Sequence, residues 1–218
     1  MHATSIHWFL IIIVLISVTA CRPATEGQSL PYLGTREPVE RQVDGQTVID
    51  TVYQKAPDFQ LINQDSITID QTMFKGGMYV VDFFFTSCPT ICPTMSRNML
   101  KLYEKFNGNP KVHFLSHTID PKYDTPSVLK AYAQKLGVEG DQWQFVTGTK
   151  ETIYGLAPEY MVLRPEEDKD QPGGFIHQGW FILIDHNGHF RGAYDGTQDQ
   201  QVENLSLDMD ILLQEINP

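Results

Sequence analysis

The stretch Tyr79-Val80-Val81-Asp82-Phe83-Phe84-Phe85 runs without a break into Thr86-Ser87-Cys88-Pro89-Thr90-Ile91-Cys92-Pro93. Its first half is β-branched and aromatic, the composition of a central strand buried on both faces. Beyond its second half, Met95, Met99, Leu102 and Phe106 recur at three- and four-residue intervals, the pattern of a helix with one buried face. A buried strand therefore delivers a Cys-x-x-x-Cys pair to the start of a helix. Only Asp82 is out of character in that strand, and nothing in the sequence explains it.

The same alternation continues outward from this unit. Residues 112–115 and 143–146 read as strands and 128–136 as a helix, introduced by Asp124-Thr125-Pro126 with its capping residue and early proline. A short helix is expected over 149–156, a polar Pro/Gly-rich loop over 166–174 and a final helix over 202–216. Segments 175–184 and 189–194 form a hairpin about Asp185-His186-Asn187-Gly188. Upstream, Asp44-Gly45 marks a turn between Val-bearing segments, and a second hairpin joins residues 59–61 to 67–69. Strands alternating with helices and closed by a hairpin and helix predict an α/β fold. It has a central mixed sheet flanked by helices and an additional N-terminal hairpin.

Residues 8–20 are a short apolar run that ends in Val18-Thr19-Ala20-Cys21. A spanning helix needs about 20 apolar residues, so the run suits the apolar core of a signal peptide. The last four residues have the form of a bacterial lipobox, in which Cys21 is lipidated and becomes the mature N-terminus. The segment before the run carries no Lys or Arg, which keeps an uncleaved anchor as the alternative. The expected organisation is a signal peptide over 1–21, a linker over 22–40 and one domain over 41–218. That domain is a monomer tethered to a membrane and facing the periplasm or another extracytoplasmic space.

Of three cysteines, lipidation of Cys21 leaves Cys88 and Cys92. Four residues apart, they close too small a loop to staple a domain, so their use is chemical. The chain has 218 residues, 41% hydrophobic and 20% charged, with a net charge of −11. This is a soluble globular composition, and the acidic balance argues against nucleic acid, which needs clustered Lys and Arg.

Residues i and i+4 of a helix lie on one face, about 5–6 Å apart at Cβ. Two sulfurs so placed can grip a soft metal or close a disulfide. Soft thiolates favour Cu(I), zinc or iron–sulfur clusters, and two are too few for a closed zinc site. His177, in Gly173-Gly174-Phe175-Ile176-His177-Gln178-Gly179 where the polar loop meets a strand, is the candidate third ligand. The loop offers little to bury and is expected to be mobile until metal draws His177 to the helix.

Three signatures together resemble the Sco/SenC copper-chaperone family over roughly residues 56–218. They are Phe84-Phe85-Thr86-Ser87-Cys88-Pro89-Thr90-Ile91-Cys92-Pro93, Ser116-His117-Thr118-Ile119-Asp120-Pro121-Lys122-Tyr123-Asp124-Thr125-Pro126, and His177 ahead of the hairpin. The resemblance implies a thioredoxin-like fold, a membrane tether and one copper ion, Cu(I) or Cu(II), held by Cys88, Cys92 and His177. It also implies delivery to the copper A site of cytochrome c oxidase, with a copper donor and a thioredoxin-like reductant as further partners. In one departure, Ile176 stands before His177 where the family commonly has Asp.

The same cysteine pair suits a thiol–disulfide oxidoreductase that reduces the oxidase copper-site cysteines, a role with no need of His177. A thioredoxin-fold peroxidase is the third reading, with Arg97 the one arginine near the pair. Asp120 and Asp124 read as turn and helix-cap residues. His113, His117, His186 and His189 read as non-ligands, and Met95 and Met99 as core.

Overall fold

The computed structural model describes residues 29–216. The apolar run over 8–20 and Cys21 lie outside the described residues. Within them, no helix is long and apolar enough to cross a membrane.

β5 (Met78–Phe84) is buried along its whole length, as its composition requires. Parallel to it runs β6 (Val112–Thr118), reached through α1 (Cys92–Phe106), and parallel to β6 runs β7 (Trp143–Thr147), reached through α2 (Pro126–Leu136). Parallel neighbours need such crossovers, and this pair of units makes the centre of the sheet. β3 (Gln60–Asn63) and β4 (Thr68–Asp70) extend it antiparallel on the β7 side. β10 (Trp180–Ile184) and β11 (Phe190–Asp195) extend it on the β5 side. The seven-stranded order is β11-β10-β5-β6-β7-β3-β4. α3 (Lys150–Glu159) follows β7, and α4 (Asp199–Ile216) closes the domain, packing on β11 and α1. The expected mixed sheet, flanking helices and closing hairpin are all present.

The N-terminal hairpin pairs β1 (Arg36–Val43) with β2 (Gln46–Tyr53) through Asp44-Gly45, both at positive φ of 50° and 79°, as a tight primed turn demands. Apart from half-buried Tyr53, every residue of this ribbon is exposed. It corrects the expected linker over 22–40, because β1 begins at Arg36. Pro38 does not prevent this, since proline is tolerated on an edge strand. Leu30 too belongs to the domain: it is buried, and its N–H donates to Glu215 Oε1 at 3.1 Å.

Two further expectations need correction. Residues 175–184 are not one strand. β9 (Phe175–Ile176) pairs with β8 (Glu166–Glu167) in a separate two-stranded ladder, and His177-Gln178-Gly179 separates it from β10. The stretch 166–174 is likewise not a bare loop. Asp168 N–H donates to Gly174 C=O at 2.9 Å, and Gly174 N–H to Gln171 C=O at 2.9 Å, closing a reverse turn.

Candidate metal centre

The site lies at the carboxyl ends of β5 and β6, the edge where parallel sheets leave room for ligands. β5 leaves the sheet through a turn closed by Cys88 N–H donating to Phe85 C=O at 3.2 Å. Cys88 therefore precedes the helix, and α1 starts only at Cys92, so the two are not one turn apart on a single helical face as the spacing suggested. The N-cap of α1 is Ile91, which makes no side-chain capping bond, and there is no acidic residue in the first turn. The amide groups and dipole at this end are left to favour a thiolate.

His177 arrives on the segment that leads into β10, the antiparallel neighbour of β5. Its Nε2 lies 3.8 Å from Cys88 Sγ and 3.7 Å from Cys92 Sγ. Both cysteines are reduced and buried, His177 is half-buried, and their ligand atoms all fall within 4.8 Å of one another. Packing puts the imidazole there. The Phe85 ring stands edge-on to it at 5.4 Å and touches the Phe175 ring at 4.9 Å. Gly173, at φ +84°, lets the β8–β9 hairpin cross the cysteine turn. A Cβ there would lie 2.8 Å from Pro89 Cδ and 2.9 Å from the Phe85 ring. Gln178 Oε1 accepts the Leu163 N–H at 3.0 Å and fixes the far side of the same segment.

The two thiols are electrostatically unequal. A hydrogen bond from Cys92 pulls Cys88 far below the usual thiol range, against burial and with help from His177 and Thr90. Cys92, the proton holder, is pushed up by Cys88 and by burial. Cys88 Sγ also lies 3.5 Å from Thr90 Oγ1. Beneath them, burial pushes the Asp82 carboxyl up to about 7, while a hydrogen bond with Ser116 and the charge of His177 act in the opposite direction. Its Oδ1 has no hydrogen-bond partner among the described residues, nor has His177 Nδ1. Asp82 is thus a buried acid close to the site.

The donor set fits a soft metal ion. Metal–thiolate and metal–imidazole bonds of about 2.3 and 2.0 Å at tetrahedral or trigonal angles separate S from N by about 3.5–3.7 Å. The two observed S–N separations are of that size. Two thiolates and one imidazole select copper or zinc over hard cations, and the three ligands among the described residues are one short of a closed zinc site.

The remaining sequence candidates have other work. His117 is fully buried, stacked 4.7 Å from the Phe83 ring, and burial pulls it down to about 3. His113 stands edge-on to Phe74, and His186 and His189 flank the hairpin turn at the far end of the sheet. Met95 and Met99 are buried in the core, and Arg97 is exposed and bonds Thr94 Oγ1. Asp120 does shape a turn, its C=O accepting the N–H groups of Tyr123 and Asp124. Asp124 departs from expectation. Thr125 is the N-cap of α2, and the Asp124 carboxylate instead accepts from Thr86 and Thr118. The sequence carried one signal for this, an acid two residues ahead of the helix-starting Pro126, but that signal could not say where the carboxylate pointed.

Comparison with known proteins agrees with this arrangement. The chain is 33% identical to a SCO1/SenC family lipoprotein from Bacillus anthracis, with a TM-score of 0.67 over 73% of this chain and 95% of that one. It is 31% identical to BsSco, a member of the Sco family of cytochrome c oxidase assembly proteins in which a disulfide switch was identified, with a TM-score of 0.61 over 72% and 92%. It shares its thioredoxin-like fold with ScoI of Bradyrhizobium japonicum, solved with copper bound, at 22% identity and a TM-score of 0.60 over 72% and 99%. The SCO1/SenC family model matches residues 49–207, which include both cysteines and His177, and this chain belongs to that family.

Proposed function

We propose that the chain is a copper metallochaperone that holds one copper ion between Cys88, Cys92 and His177 and delivers it to the copper A site of cytochrome c oxidase. The observation that carries this is the convergence of His177 Nε2 on both sulfurs at 3.7 and 3.8 Å. A protein that only exchanged disulfides would have no use for an imidazole in that place. The copper is cargo. The chain's own residues bind it, keep it half out of water and present it at the sheet edge to an acceptor with more ligands. The Val18-Thr19-Ala20-Cys21 lipobox supports a tether through lipidated Cys21, with the domain facing the extracytoplasmic side of a membrane and acting as a monomer.

A second reading rests on the inequality of the two thiols. In that reading Cys88, held low by its hydrogen bonds, would be the attacking thiolate and Cys92 the buried proton holder, the division of labour of a dithiol reductant. Cys88 would attack a partner disulfide and release one partner thiolate. Cys92, giving up its proton to that thiolate, would then displace the second, leaving the partner reduced and this chain as a Cys88–Cys92 disulfide. Anaerobic copper titration of the reduced protein tests the chaperone reading. One tight copper per chain, lost in Cys88→Ser and absent from the oxidised form, supports it. Equal uptake by oxidised and reduced protein rejects it.

A further inference from the structure

Asp124 has 0% exposure, yet it meets no cationic side chain among the described residues. A buried carboxylate without a cation carries a desolvation cost of several kcal/mol, so its surroundings must supply compensation. They do so with three donors. The Thr86 N–H donates to Oδ2 at 3.1 Å, the Thr86 hydroxyl donates to Oδ1, and the Thr118 hydroxyl donates to Oδ2 at 2.5 Å. The N-terminus of α2, one residue further on, adds a favourable dipole.

The donors show what is being held. Thr86 and Ser87 are the central residues of the turn closed between Phe85 and Cys88, and both donors of Thr86 go to Asp124. Thr118 ends β6, and the next N–H, of Ile119, donates to Phe84 C=O at 2.8 Å. One carboxylate therefore pins together the ends of β5 and β6 and the start of α2, directly under the turn that carries Cys88. Asparagine could not replace it, because an amide has one acceptor oxygen where these donors use two.

We infer that Asp124 is a positioning residue for the Cys88 ligand: through Thr86 it sets the Phe85–Cys88 turn, and so the spacing of Cys88 from Cys92 and His177. The inference rests on the proposed copper site for its affinity readout and on the dithiol alone for its second readout. The test compares two threonines that bond the same carboxylate, one on the cysteine turn and one not. Thr86→Val is expected to lower copper affinity by about 10–100-fold, the usual effect of losing a group that orients a ligand. It should also shift the equilibrium constant of the Cys88–Cys92 disulfide with dithiothreitol, and Thr86→Ser should restore both. Thr118→Val should lower the melting temperature about as much as Thr86→Val does while leaving both constants within about twofold of wild type. Thr86→Ala serves the same comparison if the valine variant does not fold. Equal losses in the Thr86 and Thr118 variants would assign the carboxylate to general stability and overturn the inference, as would wild-type constants in Thr86→Val. If wild type takes up no copper, the chaperone reading fails separately and the disulfide constant alone decides.

Discussion

Two ends of the same sheet gather buried polar groups and treat them in opposite ways. At the far end, Arg191 is 2% exposed and fully engaged. Its guanidinium bonds Asp185 Oδ2 at 3.0 Å, both Glu215 oxygens at 2.8 and 3.0 Å, and the Leu30 C=O at 2.6 Å, and the Tyr32 ring lies 4.5 Å from it. At the cysteine end, two thiols and an imidazole converge above the Asp82 carboxyl with no Lys or Arg paired to any of them, and one atom each of His177 and Asp82 has no hydrogen-bond partner among the described residues. The first cluster brings its own counter-charge, which is how a fold makes buried ions tolerable. The second brings no Lys or Arg of its own. A polar cluster closed upon itself is architecture, whereas one that turns soft donor atoms toward a common point is a place for a ligand.

Substitutions should separate the two ends. The largest effect is expected for Cys88→Ser or Cys92→Ser, which should lower Cu(I) affinity by at least about 10³-fold, since a serine hydroxyl is a poor ligand for a soft ion. Circular dichroism should show the fold unchanged. A serine variant that bound Cu(I) within tenfold of wild type would erase the distinction. Arg191→Met should do the reverse. It leaves Asp185 and Glu215 facing each other across a buried gap, costing about 3–5 kcal/mol of unfolding free energy. Copper affinity of the folded fraction should stay unchanged. Truncation through Glu40 removes the Leu30 contacts and should destabilise in the same direction by less, as denaturant midpoints would show.

Asp82 sharpens the comparison through pH. Its folded pKa, about 7, is raised above the unfolded value of 3.8, so between these values the native state holds a proton that the unfolded chain has lost. The stability this contributes is complete below about pH 4 and is lost as pH rises through 7. Asp82→Asn should remove that decline and be the more stable protein at pH 8, by up to about 4 kcal/mol. Parallel stability–pH curves for variant and wild type would refute this account of Asp82. The smallest effect belongs to His177→Ala. Cu(II), which favours nitrogen, should bind about 10–100-fold more weakly, while Cu(I), which two thiolates hold nearly alone, should lose less. Equal losses for the two ions would count against an imidazole ligand.

What the sequence disclosed and what it concealed follow from locality. Residues 79–93 encode strand, turn and helix start within one continuous stretch, so the cysteine pair could be placed from spacing and composition. His177 could be nominated as a ligand, but its approach depends on Gly173 clearing Pro89 and Phe85, a contact between segments more than 80 residues apart. The polar stretch over 166–174, whose composition suggested only a loop, forms a turn and short ladder through backbone bonds of its own. Asp124 looked like a cap because caps are local. Its partner Thr86 lies 38 residues away, and only folding brings them together. The hairpin runs further back than expected because an edge strand tolerates Pro38, and the Arg191 clamp on Leu30 spans 161 residues.

The most direct measurement is X-ray absorption at the copper edge on the reduced protein loaded with one equivalent of Cu(I), for wild type and His177→Ala. Two sulfur scatterers at about 2.3 Å and one nitrogen at about 2.0 Å per copper, with the nitrogen lost in the variant, are the predicted result. Copper held by sulfur alone in both proteins, or shared between two chains, would contradict a three-ligand site built from Cys88, Cys92 and His177.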